Sequence, residues 1–201
     1  MNSNQDRVKP VAAAWSTEKT DADQLGAGDC SSDSAGSMFH APSIYSGLWA
    51  TWNGMAKFPS NEWVQEYVKK LNCSQGYKDA GKTWEGDIMF IIEKDDAFSN
   101  SAYVYLDLYH GECRRALYAD SIDQVPKAAY AYRGPYSNWR KLIEGQIDPI
   151  QGLLAGKFRL DDADGNELME MLNVPQLIEM RKYIRAAKEM VSAATTVPTE
   201  F

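Results

Sequence analysis

The apolar residues of the chain repeat with two different periods. From Ser60 to Cys73, Trp63, Val64, Tyr67, Val68 and Leu71 recur three and four apart, which predicts a helix started by Ser60 as cap and ended near Asn72. The compact run Ile88 to Ile92, set between charges, predicts a strand. In "SAYVYLDLYHGECRRALYAD", Val104, Leu106 and Leu108 alternate with Tyr103, Tyr105, Asp107 and Tyr109. That period of two predicts a strand with one purely aliphatic face. A tight turn over His110 to Glu112 then leads into a returning strand from Cys113 to Ala119. "AAYAYRG" after Pro126 reads as a further short strand.

Beyond Pro135 the pattern turns helical. "PYSNWRKLIEGQIDPIQGLLAGKFRLDD" predicts two short helices, the second capped by Asp148 with Pro149 at its first position and stopped by Gly156. "KFRLD" fits a fifth strand. A helix is expected near Glu167 to Leu172, and a longer one after Pro175, where Leu177, Met180, Ile184, Ala187 and Val191 form an apolar stripe. Consecutive strands followed by gathered helices predict an α+β domain with a mainly antiparallel sheet of about five strands, covered on one face by helices.

The termini differ from this body. Residues 1–37 are rich in Ser, Asp, Gly and Ala and are expected to form a flexible arm. Residues 38–57 carry Phe39, Tyr45, Trp49 and Trp52, an aromatic extension expected to pack on the main domain or on a second copy, which would make a homo-oligomer. The body is assigned to 58–173, and 174–201 to a C-terminal amphipathic helix and tail.

Composition narrows the function classes. With 201 residues and 44 % hydrophobic content the chain can bury a sizeable core, and no apolar run approaches the ~20 residues that span a bilayer. A net charge of −7 opposes binding to a phosphate backbone, so no nucleic-acid partner is expected. Three widely spaced cysteines, Cys30, Cys73 and Cys113, suggest neither a disulfide framework nor a zinc site. The N-terminus lacks the apolar core of a secretory signal and "TEF" is not a peroxisomal address, so a cytoplasmic location is expected.

Several local patterns invite sharper readings. "GYKDAGKT" from Gly76 to Thr83 satisfies the P-loop pattern, with Lys82 and Thr83 in the phosphate-binding places. A P-loop needs a strand before it and a helix after it, whereas here a helix precedes and a strand follows, so the match is read as coincidence. "DDADGN" resembles part of a calcium loop, but the first and twelfth positions would fall on Leu160 and Met171, which cannot ligate. His110 and Cys113 lie close together without a second pair and read as an ordinary hairpin turn. Arg181, Lys182, Arg185 and Lys188 flank the apolar stripe of the last helix, which raises the expectation of transient contact with an anionic membrane.

The segments "WEGDIMFIIE", "YLDLYHGECRRA" and "WRKLIEGQIDPIQGLLAGKFRLD" together resemble the sterol carrier protein 2 (SCP-2) sterol-binding family. The last is similar to that family's W-x-x-L/I…G…D-P…G-K run, at Trp139, Leu142, Gly145, Asp148, Pro149, Gly156 and Lys157. The resemblance implies an apolar tunnel between sheet and helices that takes a sterol, fatty acid, fatty acyl-CoA or other single lipid, with no catalytic residue, metal or cofactor. On that basis the tunnel lining is expected to come from Phe90, Ile92, Val104, Leu106 and Leu108 of the strands. Trp139, Ile143, Ile150, Leu153, Leu154, Phe158, Leu168, Met171 and Leu172 would supply the rest. Periodicity alone leaves open whether these faces close completely or leave a lipid-sized gap. A lipid carrier and an accessory subunit with a closed fold, which assembles with itself or an enzyme, therefore both stand as expectations. The aromatic extension and the segment "DDADGNELMEML" depart from the family pattern.

Overall fold

Ser60 starts the first helix as its sequence position demands: its hydroxyl accepts the Trp63 amide at 3.1 Å. The structure, a computed structural model, describes residues 54–168 and 174–201, the backbone alone over 174–182. The arm 1–37 and nearly all of the aromatic extension lie outside the described residues. In chain order the elements are β1 (Ala56–Lys57), α1 (Asn61–Cys73), α2 (Gln75–Ala80), β2 (Glu85–Glu93), β3 (Ala102–Tyr109) and β4 (Glu112–Ala119). After these come β5 (Tyr130–Pro135), α3 (Tyr136–Ile143), α4 (Pro149–Leu154), β6 (Arg159–Asp162), α5 (Val174–Thr195) and β7 (Thr199–Glu200).

Five strands form one sheet in the order β4-β3-β2-β5-β6, and β1 pairs with β7 in a separate two-stranded parallel clasp. Within the large sheet β2 runs antiparallel to β3, β3 to β4 and β5 to β6, while β2 and β5 pair in parallel. The fold is thus α+β with a mostly antiparallel sheet. Register sorts the side chains: Ile88, Phe90 and Ile92 stand beside Leu106, Val104 and Ala102 on one face, and Met89 and Ile91 beside Tyr105 and Tyr103 on the other. The first face is covered by α1, α3 and α5 and holds the main core, which includes Trp63, Tyr67, Val104, Leu106, Leu108, Trp139, Phe158 and Ala186. The second face carries a smaller cluster, Met89, Ile91, Tyr105 and Ala128, under the 120–129 connection.

Two local details show how the helices are fixed. The N-terminus of α3 has no cap of its own, and Asp95 of the β2–β3 loop supplies one by accepting from the Ser137 amide and hydroxyl at 2.7 and 2.6 Å. Asp148 caps α4 by accepting from the Ile150 and Gln151 amides, and Gly156 follows with φ +67°.

The segment 174–201, assigned from the sequence to a separate helix and tail, shares the main core. Ala186, Met190, Ala193, Ala194 and Val197 are all buried there. Of the apolar stripe expected to meet a membrane, Ile184, Ala187 and Val191 are half-buried, and Val191 packs against this core. Cys113 is a buried free thiol, but Cys73 is disulfide-bonded. The expectation that the cysteines form no disulfide is corrected for Cys73.

Candidate functional site

Between the helices and the first face of the sheet lies a cavity of about 70 Å³. The sheet contributes Ile88, Phe90 and Ile92 from β2 and Tyr132 from β5. Trp63 and Tyr67 come from α1, Trp139, Leu142 and Ile143 from α3, and Pro149 from α4. α5 closes it with Ala187, Met190, Val191 and Ala194, while Phe58 and Trp84 complete the wall. No side chain of this lining carries a formal charge.

Aromatic rings dominate the walls and lock one another. Trp63 stacks on Tyr67 at 5.3 Å, Phe58 meets Trp63 edge-on at 4.8 Å, and Phe90 lies 5.2 Å from Trp139. Three of the lining rings have their polar atoms satisfied by hydrogen bonds. Trp139 Nε1 donates to Ile91 O at 3.1 Å, Trp63 Nε1 to Thr199 Oγ1 at 2.9 Å, and Tyr132 Oη to Pro149 O at 3.0 Å. Burial pushes the Tyr67 hydroxyl well above its ordinary value, with Cys113 and Tyr77 adding to the effect, so it stays neutral. The site can therefore hold apolar matter and offers no acid–base pair at neutral pH.

Of the fourteen residues expected to line a tunnel, Phe90, Ile92, Trp139 and Ile143 line this cavity. Val104, Leu106, Leu108 and Phe158 lie in the same core behind it, with Phe158 stacked on Tyr132 at 4.8 Å. Leu153 is half-buried against the core, and Ile150 and Leu168 are half-buried. Leu154 is a correction: it ends α4 on the outer side and is 69 % exposed, because the short helix turns its last residue to solvent. Met171 and Leu172 lie outside the described residues. Sequence reasoning missed Phe58, Trp63, Tyr67 and the α5 residues as lining. The apolar stripe of α5 was visible, and Ala187 and Val191 belong to it, but its partner surface was not.

The other patterns are absorbed by the fold. Gly76 lies inside α2 and Gly81 ends it, so the P-loop letters straddle a helix terminus, and Lys82 pairs with Asp79 at 2.8 Å. Gly81 is there for close approach: a Cβ on it would fall 2.8 Å from Gly111 Cα at the hairpin turn. His110 reaches Glu85 at 2.8 Å on the surface while Cys113 is buried, so the two do not converge. The Asp162 carboxylate accepts from the Asp164 and Asn166 amides, which closes the acidic turn on itself.

A crystal structure of sterol carrier protein 2 superposes on this chain with a TM-score of 0.56 at 28 % identity, covering 69 % of this chain and 97 % of its own. The domain is SCP-2-like. A solution structure of a conserved hypothetical protein from Thermus thermophilus, described as possibly a sterol carrier protein, matches the SCP-2-like domain equally, with a TM-score of 0.56, 27 % identity, and coverage of 70 % of this chain and 90 % of its own. No protein-family model and no curated protein sequence matches the chain. Among the described residues no helix is long and apolar enough to cross a membrane.

Proposed function

We propose that the SCP-2-like domain takes the apolar part of one lipid, a sterol, fatty acid, fatty acyl-CoA or similar molecule, between its sheet and its helices, and carries it without chemical change. The observation that carries this reading is the all-apolar cavity lying where sheet and helices meet. Removing lipid surface from water into such a site contributes ~25 cal/mol per Å² before ordering costs are subtracted. The likeness to sterol carrier protein 2 supports the same reading.

The cavity of about 70 Å³ is smaller than the roughly 300–1,000 Å³ of ordinary ligand pockets, so uptake requires the lining to open. The α5 side is the wall with least to lose. Three of its four lining residues, Ala187, Val191 and Ala194, are small, and Met190 is flexible and repacks easily. A lipid chain entering there replaces the contacts it displaces with its own.

The small volume also favours a second reading, an accessory subunit whose core is filled by its own aromatic rings. Native mass spectrometry with organic extraction separates the two. A stoichiometric lipid, or saturable uptake of a fluorescent fatty acid, supports the carrier. A lipid-free protein that also refuses the fatty acid overturns it in favour of the accessory subunit, and the same spectrum gives its assembly state.

A further inference from the structure

A larger cavity, about 270 Å³, lies on the opposite face of the sheet and shares no lining residue with the first. Its floor is Met89, Ile91 and Ala131, which β2 and β5 place side by side. One wall is the 122–128 connection with Ile122 and Val125, and the other is β6 with the turn that follows it. Ile122 is 50 % exposed, a large apolar side chain left at the rim.

At the base of this space stands Asp161, 2 % exposed and the one charged residue in the buried core among the described residues. A carboxylate so deep needs strong partners, because desolvation of its charge is costly. Its contacts are slack: Arg159 Nη2 donates to both oxygens, at 3.3 and 3.4 Å, and Arg133 Nη1 to one at 3.4 Å, whereas charge-assisted bonds ordinarily measure about 2.7–2.9 Å. Arg133 gives its short bonds elsewhere, to Glu93 at 2.6 and 2.8 Å. Asp161 thus borders a roomy cavity with three long bonds to two guanidinium groups, which leaves about one of a carboxylate's roughly four acceptor positions open.

The surrounding charges select the sign of a ligand. The charges of the lining balance, Lys127 and Arg133 against Asp161 and Asp162, and the ion pairs around them add one cation, Arg159, and three carboxylates, those of Glu93, Asp164 and Glu167. The excess is negative, which disfavours a carboxylate or phosphate and favours a cation. The two walls are tied by an ion pair between Lys127 and Asp164 at 3.0 Å, with both side chains mostly exposed, a link weak enough to yield.

We propose that this cavity is a second binding site, for a small apolar molecule ending in a protonated amine. The ammonium donates to the Asp161 carboxylate at the base, and the hydrocarbon rests on Met89, Ile91 and Ala131 beneath Ile122 and Val125. The site is independent of lipid uptake on the helix side.

The test uses the full chain and three probes of one shape, 4-phenylbutylamine, 4-phenylbutanol and 4-phenylbutyrate, titrated by calorimetry at neutral pH. The amine is expected to bind one to one and about tenfold or more tighter than the other two, and Asp161→Asn to weaken it by about tenfold or more. Ala131→Leu, which fills the floor and leaves every charge in place, is expected to abolish binding while fluorescent fatty-acid uptake stays unchanged. This second variant decides the matter if Asp161→Asn fails to fold. Equal or tighter binding of the butyrate, no saturable binding of the amine, or unchanged amine affinity in Ala131→Leu overturns the proposal.

Discussion

Trp139 donates its indole N–H to the carbonyl of Ile91 at 3.1 Å, a buried bond that ties α3 to the central strand of the sheet across 48 residues of chain. The same indole lines the helix-side cavity and packs edge-on against Phe158 at 5.4 Å. One side chain therefore both pins the helix layer and shapes the space below it. Trp139→Phe keeps most of the apolar contact and leaves the Ile91 carbonyl without this donor. It is expected to cost about 1–3 kcal/mol in urea unfolding, with the slope unchanged.

Val191 is the α5 residue through which the carrier reading is most directly checked. Val191→Phe places a ring in the cavity of about 70 Å³. Fluorescent fatty-acid uptake is expected to fall by about tenfold or more, while overpacking lowers stability by about 1–3 kcal/mol. Unchanged uptake in a folded variant would remove α5 from the binding wall.

Tyr77 is wholly buried, and among the described residues its hydroxyl has no hydrogen-bond partner. Burial, reinforced by Cys113, raises its ionisation far above the ordinary range, so the group is neutral and unsatisfied. Tyr77→Phe removes an unmet polar atom at little loss of volume. A rise in unfolding free energy of up to about 1 kcal/mol is expected, read from denaturant midpoints. A loss of stability would reveal a partner for the hydroxyl.

Asp148 links the cap of α4 to α5. Partial burial opposes its ionisation, but the Gln151 and Ile150 amides and the Lys188 ammonium at 3.1 Å outweigh this and hold its carboxyl below the ordinary value of 3.8. A depressed folded value means stability that is present above the unfolded value and is lost as pH falls through the folded one. Asp95, which caps α3, is held low in the same sense: burial opposes its ionisation, and bonds from Ser137 and from the Ala97 and Phe98 amides outweigh it. Melting temperature is therefore expected to be flat from pH 8 to 6 with respect to these groups and to drop below about pH 4. Asp148→Ala is expected to cost about 1 kcal/mol at pH 7 and to make the acid drop shallower.

Much of this architecture was legible because its signals are local. Ser60 and Asp148 cap helices through bonds to amides two or three residues away, and the alternation of Val104, Leu106 and Leu108 sets strand and face together. The α2 helix was missed because its six residues, with Gly76 among them, carry too short a pattern to show a period. Its existence depends on packing against α5 and on the meeting of Gly81 with Gly111. The cap of α3 was equally invisible, since Asp95 lies 42 residues from Ser137 in the chain.

By itself, then, the amino-acid sequence determined most of the helices and the strands of the large sheet, which face of each is apolar, and the likeness to SCP-2 domains. These follow from periodicity and from bonds between near neighbours. The tertiary structure decided which apolar faces meet, that α5 belongs to the core, that Phe58, Trp63 and Tyr67 border the cavity, and that Leu154 does not. It also decided how much space remains and where Asp161 is buried. Such outcomes depend on side-chain volumes and register summed over distant elements, where a difference of one ring opens or fills a cavity.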